Sequence, residues 1–381
     1  MRFIPLFKRK DCMKPMKLRK KLAMLMGILM LGGAMTACGG SSSAADQSST
    51  ETSAAETTTA AAETTTGAPA AETTATPEES AVPETTSAKP EESAAEEDDE
   101  ENYDTGDASL DNVRNQDEIG ENELLVLSFG TSYNDSRRLT IGAIEGALDS
   151  AFPDYSVRRG FTANIIIDHV QRRDGILIDD VDAALDRAVK NGVKTLVVQP
   201  THLMHGLEYN DLLTQVGDKA DAFDHVVFGE PLLSSDDDFK RVEQALVDWT
   251  KEYDDGKTAI CFMGHGTEAE SNKVYKQMQD LLTADGHKNY FVGTVEATPS
   301  VDDVLALVKA GEYERVILEP MMVVAGDHVN NDMACDEADS WKSVFEAAGY
   351  KVTCLLRGLG ENETIRQIYV EHAKAAIDSI Q

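Results

Sequence analysis

Two histidines in this chain have the surroundings of metal ligands. His265 lies in Gly264-His265-Gly266-Thr267, and His328 lies in Ala325-Gly326-Asp327-His328-Val329-Asn330-Asn331-Asp332-Met333. Neighbouring glycines let the backbone turn sharply and leave room for a ligand beside an imidazole. A lone loop histidine is as well suited to capping a helix or bonding a carbonyl, but a second one at the same sheet edge shifts the balance. Each follows a short apolar run, and about one βαβ unit plus a loop separates them, so both reach one edge of a parallel sheet. Paired imidazoles bind borderline metals such as Co²⁺, Ni²⁺, Fe²⁺ or Zn²⁺ and leave coordination positions open for a substrate. Glu296, in Gly293-Thr294-Val295-Glu296, follows the intervening run. The residues alone leave it open between a third ligand and a surface-loop glutamate.

The elements that must position these residues alternate between short apolar runs and amphipathic stretches. Strands are predicted at 124–128, 195–199, 226–228, 258–263, 290–293, 315–319 and 352–356, each apolar on both faces as buried parallel strands are. Between them, Ile141, Ile144, Leu148 and Ala151 recur at helical spacing, as do Val274, Met278, Leu281 and Leu282. The alternation predicts an α/β fold with mostly parallel sheets and helices on both sides. The two halves also resemble each other. Leu127-Ser128-Phe129-Gly130-Thr131-Ser132 reads against Met263-Gly264-His265-Gly266-Thr267-Glu268, and Val197-Val198-Gln199-Pro200 against Ile317-Leu318-Glu319-Pro320. Two similar Rossmann-like halves facing across a cleft are therefore expected, with Phe129 in the place of His265 and Glu208 in the place of His328.

Four motifs in order resemble those of the anaerobic sirohydrochlorin cobaltochelatases, class II tetrapyrrole chelatases similar in structure to ferrochelatase. They are Ser128-Phe129-Gly130-Thr131-Ser132-Tyr133, Gln199-Pro200-Thr201-His202 with Gly206-Leu207-Glu208-Tyr209, and the two histidine loops, and the resemblance runs from about Leu124 to the C terminus. It implies a chelatase-like fold and ATP-independent insertion of Co²⁺, with Fe²⁺ or Ni²⁺ as alternatives, into a sirohydrochlorin-type tetrapyrrole in anaerobic cobalamin biosynthesis. It also implies that His265 and His328 are the key active-site residues and that Glu208 and Glu296 act in metal binding or catalysis. Accordingly His265, Glu296 and His328 are expected to hold the metal, with Glu208 handling protons across the cleft. The chemistry agrees: insertion removes two pyrrole protons and partly desolvates the metal, and neutral histidines and carboxylates serve both needs. Thr131, Ser132, Arg137 and His202 are expected on the substrate side. Arg137, with Arg138, suits the acidic side chains of such a macrocycle, although a solvated helix face accounts for the pair equally well. His205 shares the loop of His202, whereas His169, His225, His287 and His372 read as surface or helix positions. Cys261 reads as core, and a bridge between Cys335 and Cys354 is left undecided.

The N-terminal part of the chain has a different composition. Residues 1–37 read as a lipoprotein signal peptide: Lys14, Lys17, Arg19, Lys20 and Lys21 precede an apolar run at 22–31, too short to span a bilayer in the usual way. Met35-Thr36-Ala37-Cys38-Gly39-Gly40 resembles a bacterial lipobox, with Cys38 as the lipid anchor; Met13 or Met16 also suits as the start. Residues 38–120, rich in Ser, Thr, Ala, Glu and Pro, read as a disordered linker. The folded part is expected at 121–256 for the first half and 257–381 for the second. A net charge of −33 argues against nucleic acid, and the five cysteines lack the pairing of a structural zinc site. The chain is thus expected to be exported and held to the outer face of the membrane by its lipid alone; a homo-oligomer is left open. A rival reading is a surface lipoprotein that captures haem, another tetrapyrrole or a metal. Glu208 favours the enzyme, because haem capture needs axial ligands but no proton acceptor. No HExxH motif supports a zinc hydrolase.

Overall fold

In β1 (Asn122–Ser128), Leu124 and Val126 enter one core while Leu125 and Leu127 enter another. This is the two-residue period of a strand covered on both faces. β5 (Thr258–Gly264) does the same: Ile260 and Phe262 join the core of Leu124 and Val126, and Ala259, Cys261 and Met263 build a third. The computed structural model describes residues 105–380, so the signal segment, Cys38 and the linker up to residue 104 lie outside the described residues.

β1 pairs in parallel with β2 (Ser156–Phe161) and β3 (Thr195–Pro200), and β3 with β4 (His225–Phe228). β5 pairs with β6 (Tyr290–Thr294) and β7 (Arg315–Pro320), and β7 with β8 (Lys351–Cys354). The sheet orders β2-β1-β3-β4 and β6-β5-β7-β8 are the same. The register repeats as well, since Leu127 faces Pro200 as Met263 faces Pro320. The expected duplication is therefore present as two four-stranded parallel sheets.

The first half carries α1 (Asn134–Leu139), α2 (Ile141–Ala151), α3 (Asn164–Asp174), α4 (Val181–Asn191), α5 (Leu207–Asp218) and α6 (Asp236–Thr250). The second carries α7 (Lys273–Ala284), α8 (Val301–Lys309), α9 (Trp341–Ala347) and α10 (Glu363–Asp378). The helical spacing seen in the sequence is the buried stripe: Ile141, Ile144 and Leu148 in α2, and Val274, Met278 and Leu282 in α7. Starts are set locally, as in α6, where Ser235 and Asp238 form a reciprocal capping box.

Several expectations are corrected. β2 had no apolar signature because Arg158 and Arg159 lie within it, both fully buried. Arg159 donates to Glu145 at 2.7 and 2.8 Å, and Arg158 donates to Asp179 at 2.9 Å. Burying a guanidinium is tolerated only with such compensation. Residues 105–120, expected to be linker, are ordered and include a short 3₁₀ turn at Ala108–Leu110. The edge strands β4 and β8 are only half-buried rather than covered on both faces. α10, in the second half, returns to the first: the Tyr369 hydroxyl donates to the Thr201 carbonyl at 2.9 Å, and Ile365 and Ile368 join the core shared by both sheets. Cys354 is a free thiol, so no bridge joins it to Cys335. Among the described residues no helix is long and apolar enough to cross a membrane.

Candidate active site

His265 leaves the end of β5 through a backbone that only glycine allows. A Cβ on Gly264 would fall 2.0 Å from Tyr275 Cε1. Gly266 has φ +89°, with Ala297 and Thr294 crowding the same position at 2.9 Å. The Gly266 amide donates to the Tyr275 hydroxyl at 3.2 Å, which fixes the turn. His265 Nδ1 lies 2.7 Å from the Gly266 carbonyl and must donate to it, so the lone pair resides on Nε2. His328 stands at the entry to a single π-helical turn, Val329–Met333, after β7; such turns recur at functional sites. Its Nδ1 donates to Asp332 at 2.8 Å, again leaving Nε2 as the free donor to a metal.

The two rings sit 4.6 Å apart between centroids and nearly perpendicular, at 88°. Glu296 comes from the loop after β6, and its amide donates to the His265 carbonyl at 2.8 Å, tying the two loops together. His265, Glu296 and His328 each offer a donor atom, and these atoms lie within 4.8 Å of one another. Two imidazoles and a carboxylate suit a borderline divalent ion and leave part of its sphere open. Burial pulls the His328 imidazolium down, but Asp332, Asp327 and Glu296 outweigh it, so His328 holds its proton above the ordinary range. The same excess of negative charge attracts a dication.

His265 and His328 form part of the wall of a cavity of about 470 Å³ to which both halves contribute. The first half supplies the loop from Ser128 to Ser132, with Phe129 47% exposed, and the start of α5 with Glu208. The second adds the apolar run Met321 to Val324. Burial raises the Glu208 carboxyl above its ordinary value, with His265 opposing. Of the residues expected on the substrate side, Thr131, Ser132 and His202 border the cavity. Both His202 ring nitrogens are buried without a hydrogen-bond partner among the described residues, and burial pushes its pKa down to about 4, so the ring stays neutral near pH 7.

Arg137 does not reach the cavity, contrary to expectation. Its guanidinium is fully buried and donates to Asp111, the Thr131 carbonyl and Asn134. Arg138 pairs with Asp135 at 3.1 Å. His205 turns to Glu230 at 2.6 Å, and His372 bonds the Glu230 carbonyl and Asp238. His169 is buried in α3, whereas His225 begins β4 exposed and His287 lies 3.9 Å from Glu243. Asp332 and Asp327 were not singled out from the sequence. Asp332 carried a readable signal, since a carboxylate four residues after a candidate ligand histidine can hold its Nδ1 proton.

A family model described as cobalt chelatase (CbiK) matches residues 122–378. The sirohydrochlorin cobaltochelatase of Salmonella typhimurium is 38% identical over 255 residues, which cover 67% of this chain and 96% of the relative. The sirohydrochlorin cobaltochelatase CbiKC of Nitratidesulfovibrio vulgaris is 29% identical over 281 residues, 72% of this chain and 97% of the relative. Among solved structures, SirB from Bacillus subtilis with Fe³⁺ aligns with a TM-score of 0.50 at 14% identity. That alignment covers 68% of this chain and 98% of SirB, a likeness of fold.

Proposed function

The chain belongs to the cobalt chelatase family, and from that premise we propose that it inserts Co²⁺ into a sirohydrochlorin-type tetrapyrrole, without ATP, as a step of anaerobic cobalamin biosynthesis. The observation that carries this reading is the cluster of His265, Glu296 and His328 beside a cavity whose other wall holds a carboxylate. The three donors take the metal from one side, and the positions they leave open receive pyrrole nitrogens as water departs. Fe²⁺ and Ni²⁺ suit the same donors. Each pyrrole N–H bond breaks as a metal–nitrogen bond forms, and Glu208 accepts the released proton and passes it to solvent. A carboxyl raised toward neutrality by burial is a better acceptor than an ordinary one. His202 is too weakly basic for that task and contributes a neutral wall.

Mixing the purified protein with sirohydrochlorin and Co²⁺, and following the absorbance, tests the reading. Turnover above the uncatalysed rate is expected, and His265→Ala should abolish it while the circular dichroism spectrum is kept. Stoichiometric tetrapyrrole binding without turnover favours capture instead, and unchanged turnover in His265→Ala refutes the assignment of the metal ligands.

A further inference from the structure

Residues 105–118 precede the stretch matched by the family model, yet they are fastened to the folded unit along their length. The Thr105 carbonyl accepts from the Asp135 amide at 2.7 Å, and Asn134 Nδ2 donates to Thr105 Oγ1 at 3.3 Å and to the Gly106 carbonyl at 3.2 Å. The Asp111 side chain, 1% exposed, accepts from Arg137 Nε at 2.7 Å and from Arg159 at 2.7 and 3.1 Å. Farther along, Gln116 donates to the Val157 carbonyl at 3.2 Å, and Asp117 accepts from Arg187 at 3.0 Å.

The first of these contacts converge on α1, which touches both walls of the cavity. Toward the first half, Arg137 Nη1 donates to the Thr131 carbonyl at 3.1 Å. Toward the second, Ser136 Oγ accepts from the Ala325 amide at 2.9 Å, in the loop that carries His328. The walls nearly touch there: a Cβ on Gly326 would lie 3.0 Å from Thr131 Oγ1. A buried carboxylate shared by two guanidiniums is a stiff joint, because loosening it leaves charge uncompensated.

We propose that residues 105–118 form a strap and that Asp111 is a positioning residue, which fixes α1 so that the His328 loop keeps its place against the Thr131 wall. Asp111 touches neither metal nor substrate and acts through Arg137, Ser136 and Ala325. The inference rests on the reading of His265, Glu296 and His328 as the metal site. It differs from simple stabilisation in what it moves, namely the coordination geometry.

The test uses the full chain with three substitutions: Asp111→Asn, Ser136→Ala and Asp117→Asn. Co²⁺ is titrated into each, and the visible d–d bands of the bound ion, which report coordination geometry, are recorded beside far-ultraviolet circular dichroism. Asp111→Asn and Ser136→Ala are expected to keep the fold, bind Co²⁺ about tenfold more weakly, as loss of supporting contacts around a ligand does, and change the band intensities. Asp117→Asn, cut far from α1, is expected to match the unaltered protein. Unchanged affinity and bands in either Asp111→Asn or Ser136→Ala overturn the proposal, as does an equal loss in Asp117→Asn. If Asp111→Asn does not fold, Ser136→Ala decides alone, since it leaves the strap docked. Failure of the unaltered protein to turn over sirohydrochlorin refutes the chelatase reading and leaves the Co²⁺ comparison standing.

Discussion

Asp332 holds the Nδ1 proton of His328, so that ring presents one tautomer and one plane to an incoming metal. Asp332→Asn keeps a hydrogen-bond acceptor but removes the charge. Co²⁺ affinity, measured by competition with a chelator, is expected to fall about 10- to 100-fold with little change in Tm; equal affinity would mean that the loop orients the ring without Asp332. The histidines were legible in the sequence because glycines frame both loops and each loop follows an apolar run. Glu296 was ambiguous, because a carboxylate after a strand is equally at home in water. Arg137 misled for a physical reason: its partner Asp111 lies in a stretch whose composition reads as linker, so nothing nearby announced that the guanidinium was engaged.

At the scale of elements, α6 turns Glu243 inward. Glu243 is buried, and burial together with the facing Asp285 raises its pKa to about 7 from 4.5. Because the folded-state value lies above the unfolded one, Glu243 favours folding while both states are protonated, below about 4.5, and that contribution is lost as pH rises through about 7. Glu243→Gln removes the titration. Its Tm is therefore expected to exceed that of the unaltered protein near pH 8 and to approach it near pH 5; a gap independent of pH would show that the carboxylate does not titrate in this window. The apolar strands could be read directly, since burial on both faces requires unbroken apolar runs. β2 could not, because the partners of Arg158 and Arg159 come from β1, α2, the loop ahead of α4 and the strap, and pairing between such distant positions leaves no local pattern.

For the whole molecule, duplication was readable because paired motifs close equivalent strands, and the structure repeats even their register. The destination of α10 was not. Its stripe of Ile365, Ile368 and Tyr369 shows that one face is buried, but not that the helix crosses back to the first sheet. We also propose that the chain is exported and lipid-anchored through Cys38, a reading supported by the basic and apolar segments ahead of it and by the lipobox-like residues around it. Cells given a radiolabelled fatty acid should yield labelled protein in the membrane fraction, and Cys38→Ala should be unlabelled and released; membrane retention of unlabelled Cys38→Ala would exclude the anchor. The strap adds a mechanical consequence. A pull applied at Thr105 is borne first by the Thr105–Asp135 and Asp111–Arg137 bonds, which hold the segment against α1. Those same bonds support the loop that carries His328. A pull at Thr105 and the shape of the metal site therefore share one path through the protein.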